Sequence, residues 1–316
     1  MNHFLSVEDA NIEALAKQAL NYKVDRFQHK SSGEGKTIGM IFLNPSMRTR
    51  MSTQVAAHNL GMEAIVLNMD KDGWQLEFAD GAVMTGDKAE HVKEAAAVLG
   101  QYVDIVGIRT FPGLVNKQDD YSELVINQFV KYAGKPVLSL ESATRHPLQS
   151  LADVITIKES FKEKRKPNVV LTWAPHIKAL PQAVPNSFAE WMNAWGEVNF
   201  VITHPEKYEL DPRFSGNAKI EYNQDKALEG ADFVYVKNWS SYQEYGKILN
   251  TDPSWMITKK KMSNTNNGKV MHCLPVRRNL VIADEVLDGP NSIVIQQAGN
   301  RVWAAQAVLA ELLKNK

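Results

Sequence analysis

The segment FLNPSMRTRMST, Phe42 to Thr53, gathers Ser46, Arg48, Thr49 and Arg50 within one helical turn directly after an apolar run. Ser46 is placed to cap a helix, because Met47, Met51, Val55 and Leu60 keep near-helical apolar spacing and Gly61 ends the run. A helix N-terminus carries free N–H groups and roughly half a positive charge. Cations added there oppose the dipole unless an anion is present. The segment therefore reads as a site for an anion or as a solvated basic turn on a surface helix.

Elements that would position these residues follow from the alternation of short β-branched runs with helical patterns, which predicts α/β architecture with mainly parallel sheets. Strands are expected at 37–44, 63–69, 103–110, 135–142, 168–174, 197–204, 232–238, 268–275 and 292–297. Nine strands suit two sheets better than one, with a break near 145–165, where HPLQSLADVITIKESF reads as a helix and KEKRKP as a solvated turn. The fold expected is thus two parallel-sheet α/β lobes, 1–147 and 148–297, with a functional cleft between them. The amphipathic C-terminal helix 298–316 is expected to pack back on the first lobe. Ligands in such sheets bind outside the carboxyl ends of strands, and the polar clusters fall there. Arg109 ends the third strand; Glu141, Arg145, His146 and Gln149 follow the fourth. Lys237 and Asn238 end another, and His272, Cys273 and Arg277 surround the eighth.

Bulk properties narrow the partners. A chain of 316 residues has room for two cores, and 44% hydrophobic with 23% charged residues is ordinary for a globular protein. Lys plus Arg and Asp plus Glu balance at 36 each, so no global charge draws the chain to nucleic acid or an anionic membrane. The single cysteine, Cys273, excludes an internal disulfide and a cysteine-based zinc cluster. The polar, acidic N-terminus and the lack of a long apolar run predict a cytoplasmic protein acting on small molecules.

SSGEGKT (31–37) imitates a phosphate-binding P-loop, but Lys30 stands where its first glycine belongs, and the segment precedes a strand instead of following one. No GxGxxG follows a strand, and the eight histidines show no metal-ligand spacing. A metal-free site is expected. Taken singly, His146 reads as a structural histidine or as a ring directed into a cleft by the following proline. Cys273 reads as a buried inert thiol, and Trp74 as a residue packed on its own lobe or reserved for a site.

Taken in order, SMRTR, IRTF, HPLQSLAD, VYVKNW, HCLP and NR resemble the aspartate and ornithine carbamoyltransferase family, from about residue 37 to 310. The resemblance implies a carbamoyl phosphate site of Ser46, Met47, Arg48, Thr49, Trp74, Arg109, His146, Gln149 and Arg301. It gives catalytic parts to Arg48, Thr49, Arg109, His146, Gln149 and Cys273. His146 would donate to the carbamoyl carbonyl oxygen and Gln149 take the carbamoyl amide. The second substrate would meet Glu141, His176, Lys237, Cys273, Leu274, Arg277, Arg278 and Ala89. Similar enzymes are trimers with shared sites, which implies that KDGWQLE and TGDKAEH (85–91) serve a neighbouring subunit. No cofactor is implied.

Departures from the ornithine pattern point to the second substrate. Ornithine enzymes carry an aspartate, in a sequence like VYTDVW, where this chain has Lys237. A lysine there repels an α-ammonium group by several kcal/mol, on the order of the Coulomb energy at an effective dielectric near 20. An N-acylated ornithine, with no charge on that nitrogen, meets the demand. Ser-Met-Gly is replaced by SSYQE, and WAPHIKALPQAVPNSF (173–188) replaces the Asp-x-x-Asn-Asn-Val segment. Enzymes of the N-acetylornithine type resemble this chain but carry an acidic residue at Ala89 and a lysine at Val281. The resemblance is closer to the N-succinylornithine branch of arginine synthesis, with N-acetyl-L-ornithine the alternative substrate. A catalytically silent small-molecule-binding paralogue is the alternative of another class; it would be expected to lose Arg48, His146 or Gln149, and all three are present.

Overall fold

Apolar, β-branched runs closed by turn residues form strands such as Ile105–Arg109 and Val137–Glu141 that are buried throughout, the usual state of a parallel sheet, while the edge strand Glu63–Asn68 leaves Ile65 exposed. A computed structural model describes residues 1–314. The chain divides into two compact units: Met1–Gly113 with Lys117–Leu151 and Arg301–Lys316, and Leu114–Asn116 with Ala152–Asn300.

In the first unit four parallel strands stand in the order Glu63–Asn68, Thr37–Phe42, Ile105–Arg109, Val137–Glu141. The chain fills one side of Thr37–Phe42 and later returns to the other. Its topological switch point therefore lies between the carboxyl ends of Thr37–Phe42 and Ile105–Arg109, where Phe42 and Arg109 are register partners. Ile41, Val106, Ile108, Phe129 and Val137 form part of this unit's core.

The second unit repeats the scheme with five parallel strands, Lys269–Met271, Phe233–Lys237, Asn168–Trp173, Asn199–Thr203 and Lys219–Ile220 in spatial order. Its switch point falls between Trp173 and Lys237, again register partners. Val170, Val234, Val236, Val270 and Ile282 belong to its core.

Among the described residues, one expected strand is absent, and two features were not foreseen. SIVIQQ (292–297) is not a strand: Ser292 makes a single bridge to Val270, and the helix Val294–Leu312 then begins. A short apolar run fits either state by periodicity, and the helical pattern that follows it decides. Short strands at Leu76–Glu77, Glu90–His91 and Lys219–Ile220 were not expected, being two residues each. The apolar stripe of the helix Met47–Asn59 also faces outward, with Met47, Met51 and Val55 exposed while Thr49, Thr53, Ala56 and Ala57 are buried.

The C-terminal helix packs on the first unit as expected. Gln306 accepts from Asn59 Nδ2 at 2.9 Å and donates to the Arg26 carbonyl at 2.7 Å. Asn315 and Lys316, the end of the expected 298–316 helix, lie outside the described residues. Gly61 has a φ of 81°, and a Cβ there would stand 2.3 Å from the Lys30 carbonyl oxygen, so the turn ending the Met47–Asn59 helix requires glycine. Among the described residues, no helix is long and apolar enough to cross a membrane.

Candidate active site

At the first switch point Ser46 caps the helix Met47–Asn59, its Oγ accepting from Thr49 N at 3.4 Å and donating to Thr49 Oγ1 at 3.0 Å. Thr49 is buried and also accepts from Arg301 Nη2 at 2.6 Å. The same guanidinium nitrogen lies 3.4 Å from His146 Nε2. A guanidinium can only donate, so Nε2 is the acceptor and the ring proton sits on Nδ1, a buried atom with no partner among the described residues. Burial first, then the charges of Arg301 and Arg109, hold the His146 pKa well below its usual value. His146 is therefore a neutral imidazole with an N–H to give.

Arg109 is more committed than its position at a strand end suggests. Its Nε and Nη2 bind Glu141 Oε2 at 3.1 and 2.5 Å, and Nη1 binds the carbonyls of Asn44 and Pro45 at 3.1 and 2.8 Å. It thereby ties the switch-point loop to the sheet, and among the described residues these bonds use four of its five N–H groups, one on Nη2 remaining. Glu141 Oε2 is also 3.9 Å from His146 Nε2. His146 stands just before the helix Pro147–Ser160, and its carbonyl accepts from Gln149 N at 3.0 Å. Gln149 is 1% exposed. The first unit thus brings together Ser46, Thr49, Arg109, Glu141, His146 and Arg301, with Arg48 half-buried, Met47 exposed and Gln149 buried on adjoining turns.

Trp74 and Ala89 lie on neighbouring loops away from this cluster's hydrogen bonds. Trp74 is 55% exposed and donates from Nε1 to Glu90 Oε2 at 2.9 Å, and Ala89 N bonds the Gln75 carbonyl at 3.2 Å. The two loops are clipped together by the Leu76–Glu77 and Glu90–His91 pairing.

In the second unit the switch point collects cations. Lys237 is buried, and Arg277 Nε donates to His176 Nε2 at 3.2 Å. Burial lowers the His176 pKa, a hydrogen bond to the Lys178 carbonyl opposes this, and the charges of Lys237, Arg277 and Lys178 lower it further. All three charged groups acting on His176 are cations, so the cluster suits an anion. Arg278 points its charge elsewhere, into Asp284 and Asp288 at 2.8 and 2.7 Å. Val281 is 2% exposed in the core.

Sequence reasoning missed how HCLP is held. Gln297 Nε2 donates to Asp153 Oδ1 at 2.7 Å, and its Oε1 accepts from His272 N at 2.8 Å. His272 Nδ1 accepts in turn from Leu274 N at 2.8 Å, supporting Leu274 at a φ of 56°. Tyr235 is buried on the same side: burial, then Asp153 and Cys273, raise its pKa well above the usual value. Cys273 is half-buried and lies just beyond the strand Lys269–Met271, not buried within it. Asp153 was visible at the end of HPLQSLAD, but its partner lies 144 residues away. Among the described residues, no group of three or more His, Cys, Asp or Glu side chains is placed to hold a metal ion.

Residues 2–159 match the aspartate/ornithine carbamoyltransferase carbamoyl-P binding domain, and residues 182–312 the Asp/Orn binding domain of the same family. Over its whole length the chain is 53% identical to N-succinylornithine carbamoyltransferase of Bacteroides fragilis (strain 638R), covering 99% of that protein. It is 38% identical to N-acetylornithine carbamoyltransferase of Xanthomonas axonopodis pv. citri (strain 306), covering 99% of this chain and 96% of the other. Among solved structures, a mutant N-acetyl-L-ornithine transcarbamylase, with one glutamate replaced by proline and complexed with carbamyl phosphate and N-succinyl-L-norvaline, superposes with a TM-score of 0.91. That match is 36% identical and covers 99% of this chain and 100% of the other. The two matched domains, with the named relatives, mark the chain as a carbamoyltransferase. The chain belongs to the aspartate/ornithine carbamoyltransferase family.

Proposed function

We propose that the protein moves the carbamoyl group of carbamoyl phosphate to the δ-amino group of N-succinyl-L-ornithine, giving N-succinyl-L-citrulline and phosphate for arginine biosynthesis. One observation carries the reading of the site: Arg301 links Thr49, in the first turn of a capped helix, to a buried, neutral His146 whose ring also feels the charge of Arg109.

The first unit binds carbamoyl phosphate. Ser46, Arg48, Thr49 and the helix N–H groups take the dianionic phosphate through charge-assisted hydrogen bonds. Arg109, with its remaining N–H, and Arg301 add donors. Gln149 takes the carbamoyl amide. Attack by an uncharged amine builds negative charge on the carbamoyl oxygen, which His146, Thr49 and Arg109 stabilise. The C–O bond to phosphate then breaks, and the leaving phosphate accepts the proton from the new amide nitrogen. No enzyme-bound covalent intermediate forms, so positioning and electrostatics supply most of the rate.

The second unit binds the amino acid. Lys237, His176 and Arg277 take a carboxylate, and Leu274 and Cys273 present the HCLP loop to the δ-nitrogen. Arg278, paired with two aspartates, keeps a structural part. Ala89 leaves room for the succinyl chain and adds no negative charge. The relative from Bacteroides fragilis bears the N-succinyl name, which supports the same choice here.

The active form is a cytoplasmic homotrimer whose Trp74 and Ala89 loops serve the adjacent site. Exposed Met47, Met51, Val55 and Ile65 support a covered face, and exposed Trp74 supports a shared one. Phosphate release from carbamoyl phosphate, measured with N-succinyl-L-ornithine, N-acetyl-L-ornithine and L-ornithine in turn, tests the proposal. Turnover with the N-succinyl compound supports it, and turnover with L-ornithine alone overturns it.

A further inference from the structure

The turn 142–145, which leads from the strand Val137–Glu141 to His146, is gripped by one carboxylate. Glu123 precedes the helix Leu124–Tyr132 with a φ of 53°, in the left-handed region. A carboxylate at this position ordinarily accepts from the first N–H groups of its own helix. Glu123 makes no such bond. Its Oε1 accepts from Ser142 Oγ at 2.6 Å, from Thr144 N at 2.8 Å and from Thr144 Oγ1, and its Oε2 accepts from Ala143 N at 3.2 Å.

The turn also closes on itself. Ser142 N donates to the Arg145 carbonyl at 2.7 Å, and Arg145 N to Ser142 Oγ at 3.1 Å. Ser142 and Thr144 are each 2% exposed, so a loss of Glu123 would leave buried donors to find new partners. The next residue is His146, whose carbonyl starts the helix carrying Gln149. A residue held in left-handed backbone, with its charge turned from its own helix, is a strained arrangement. What it supplies is a fixed entry to His146.

We propose that Glu123 is a positioning residue for carbamoyl transfer, setting the His146 ring and the Gln149 amide through the turn 142–145. The proposal rests on the part given to His146 above. Misplacement of a reacting group by an ångström can cost about a hundredfold in rate.

The test is steady-state kinetics of the full chain with carbamoyl phosphate and N-succinyl-L-ornithine. Glu123→Ala lowers kcat by about tenfold to a hundredfold, while KM for carbamoyl phosphate moves less than about threefold. Glu123→Gln keeps the Oε1 acceptor but sets an NH2 against Ala143 N–H, and it regains most of the lost rate. In a His146→Ala background, Glu123→Ala adds less than about twofold, because both changes act on one group. Multiplicative losses in the two backgrounds, or a lower Tm with unchanged kcat in both Glu123 variants, overturn the proposal. Wild-type kcat in His146→Ala overturns the part given to His146 itself, and the proposal with it.

Discussion

Arg48, in the first turn of the Met47–Asn59 helix, carries the most exacting residue-level prediction. Its charge opposes the helix dipole unless a phosphate is present, so its benefit is realised in the complex. Arg48→Ala is expected to lower kcat/KM by an amount equivalent to at least about 3 kcal/mol, the scale of one lost oxyanion-type donor. Steady-state kinetics check this, and a wild-type value contradicts it. His146 gives a second prediction. Its folded pKa lies below the unfolded value because burial, Arg301 and Arg109 disfavour the cation. The contribution to stability is thus fully present above about 6.5; below it the unfolded chain takes up the proton first and stability is lost down to the folded pKa. The urea midpoint should fall between pH 7 and pH 5, and fall less in His146→Asn. Equal slopes would remove His146 as the cause. These residues were legible in the sequence because each sits in a short motif after a strand. Glu123 was not, since its 2.8 Å bond to Thr144 N spans 21 residues and YSELV carries no local sign of it.

At the scale of elements, the HCLP loop is held from two helices. Gln297, on Val294–Leu312, links Asp153, on Pro147–Ser160, to the His272 N–H. Gln297→Leu removes the donor to a buried carboxylate and the acceptor of a buried amide, at a cost of about 3 kcal/mol. Urea unfolding measures it, and a change below about 1 kcal/mol would show that the network relaxes freely. The Ala89 loop gives the specificity prediction. Ala89→Glu should depress N-succinylornithine turnover far more than N-acetylornithine turnover, because specificity follows repulsion as much as attraction. An unchanged ratio of kcat/KM values would show that this loop does not read the acyl group. Eight of the expected strands exist, since runs such as NVVLTW are β-branched, apolar and bounded by turns. SIVIQQ failed because three apolar residues cannot declare their period, and two-residue strands exist through their partners alone. The outward stripe of Met47, Met51 and Val55 shows that amphipathic spacing marks a face without saying what covers it.

For the whole molecule, a shared site predicts complementation. Trp74→Ala subunits mixed with Arg48→Ala subunits should recover activity, because one chain supplies an intact Arg48 and its neighbour an intact Trp74. No recovery in confirmed mixed trimers would count against sharing. The central claim concerns the substrate pair, and the most direct measurement is kcat/KM for carbamoyl phosphate-dependent transfer to three amines under one set of conditions. N-succinyl-L-ornithine should exceed N-acetyl-L-ornithine by at least about tenfold, a difference of 1.4 kcal/mol in transition-state binding. L-Ornithine should be the poorest, since its α-ammonium would meet Lys237. Equal or greater kcat/KM for N-acetyl-L-ornithine or for L-ornithine would contradict the account.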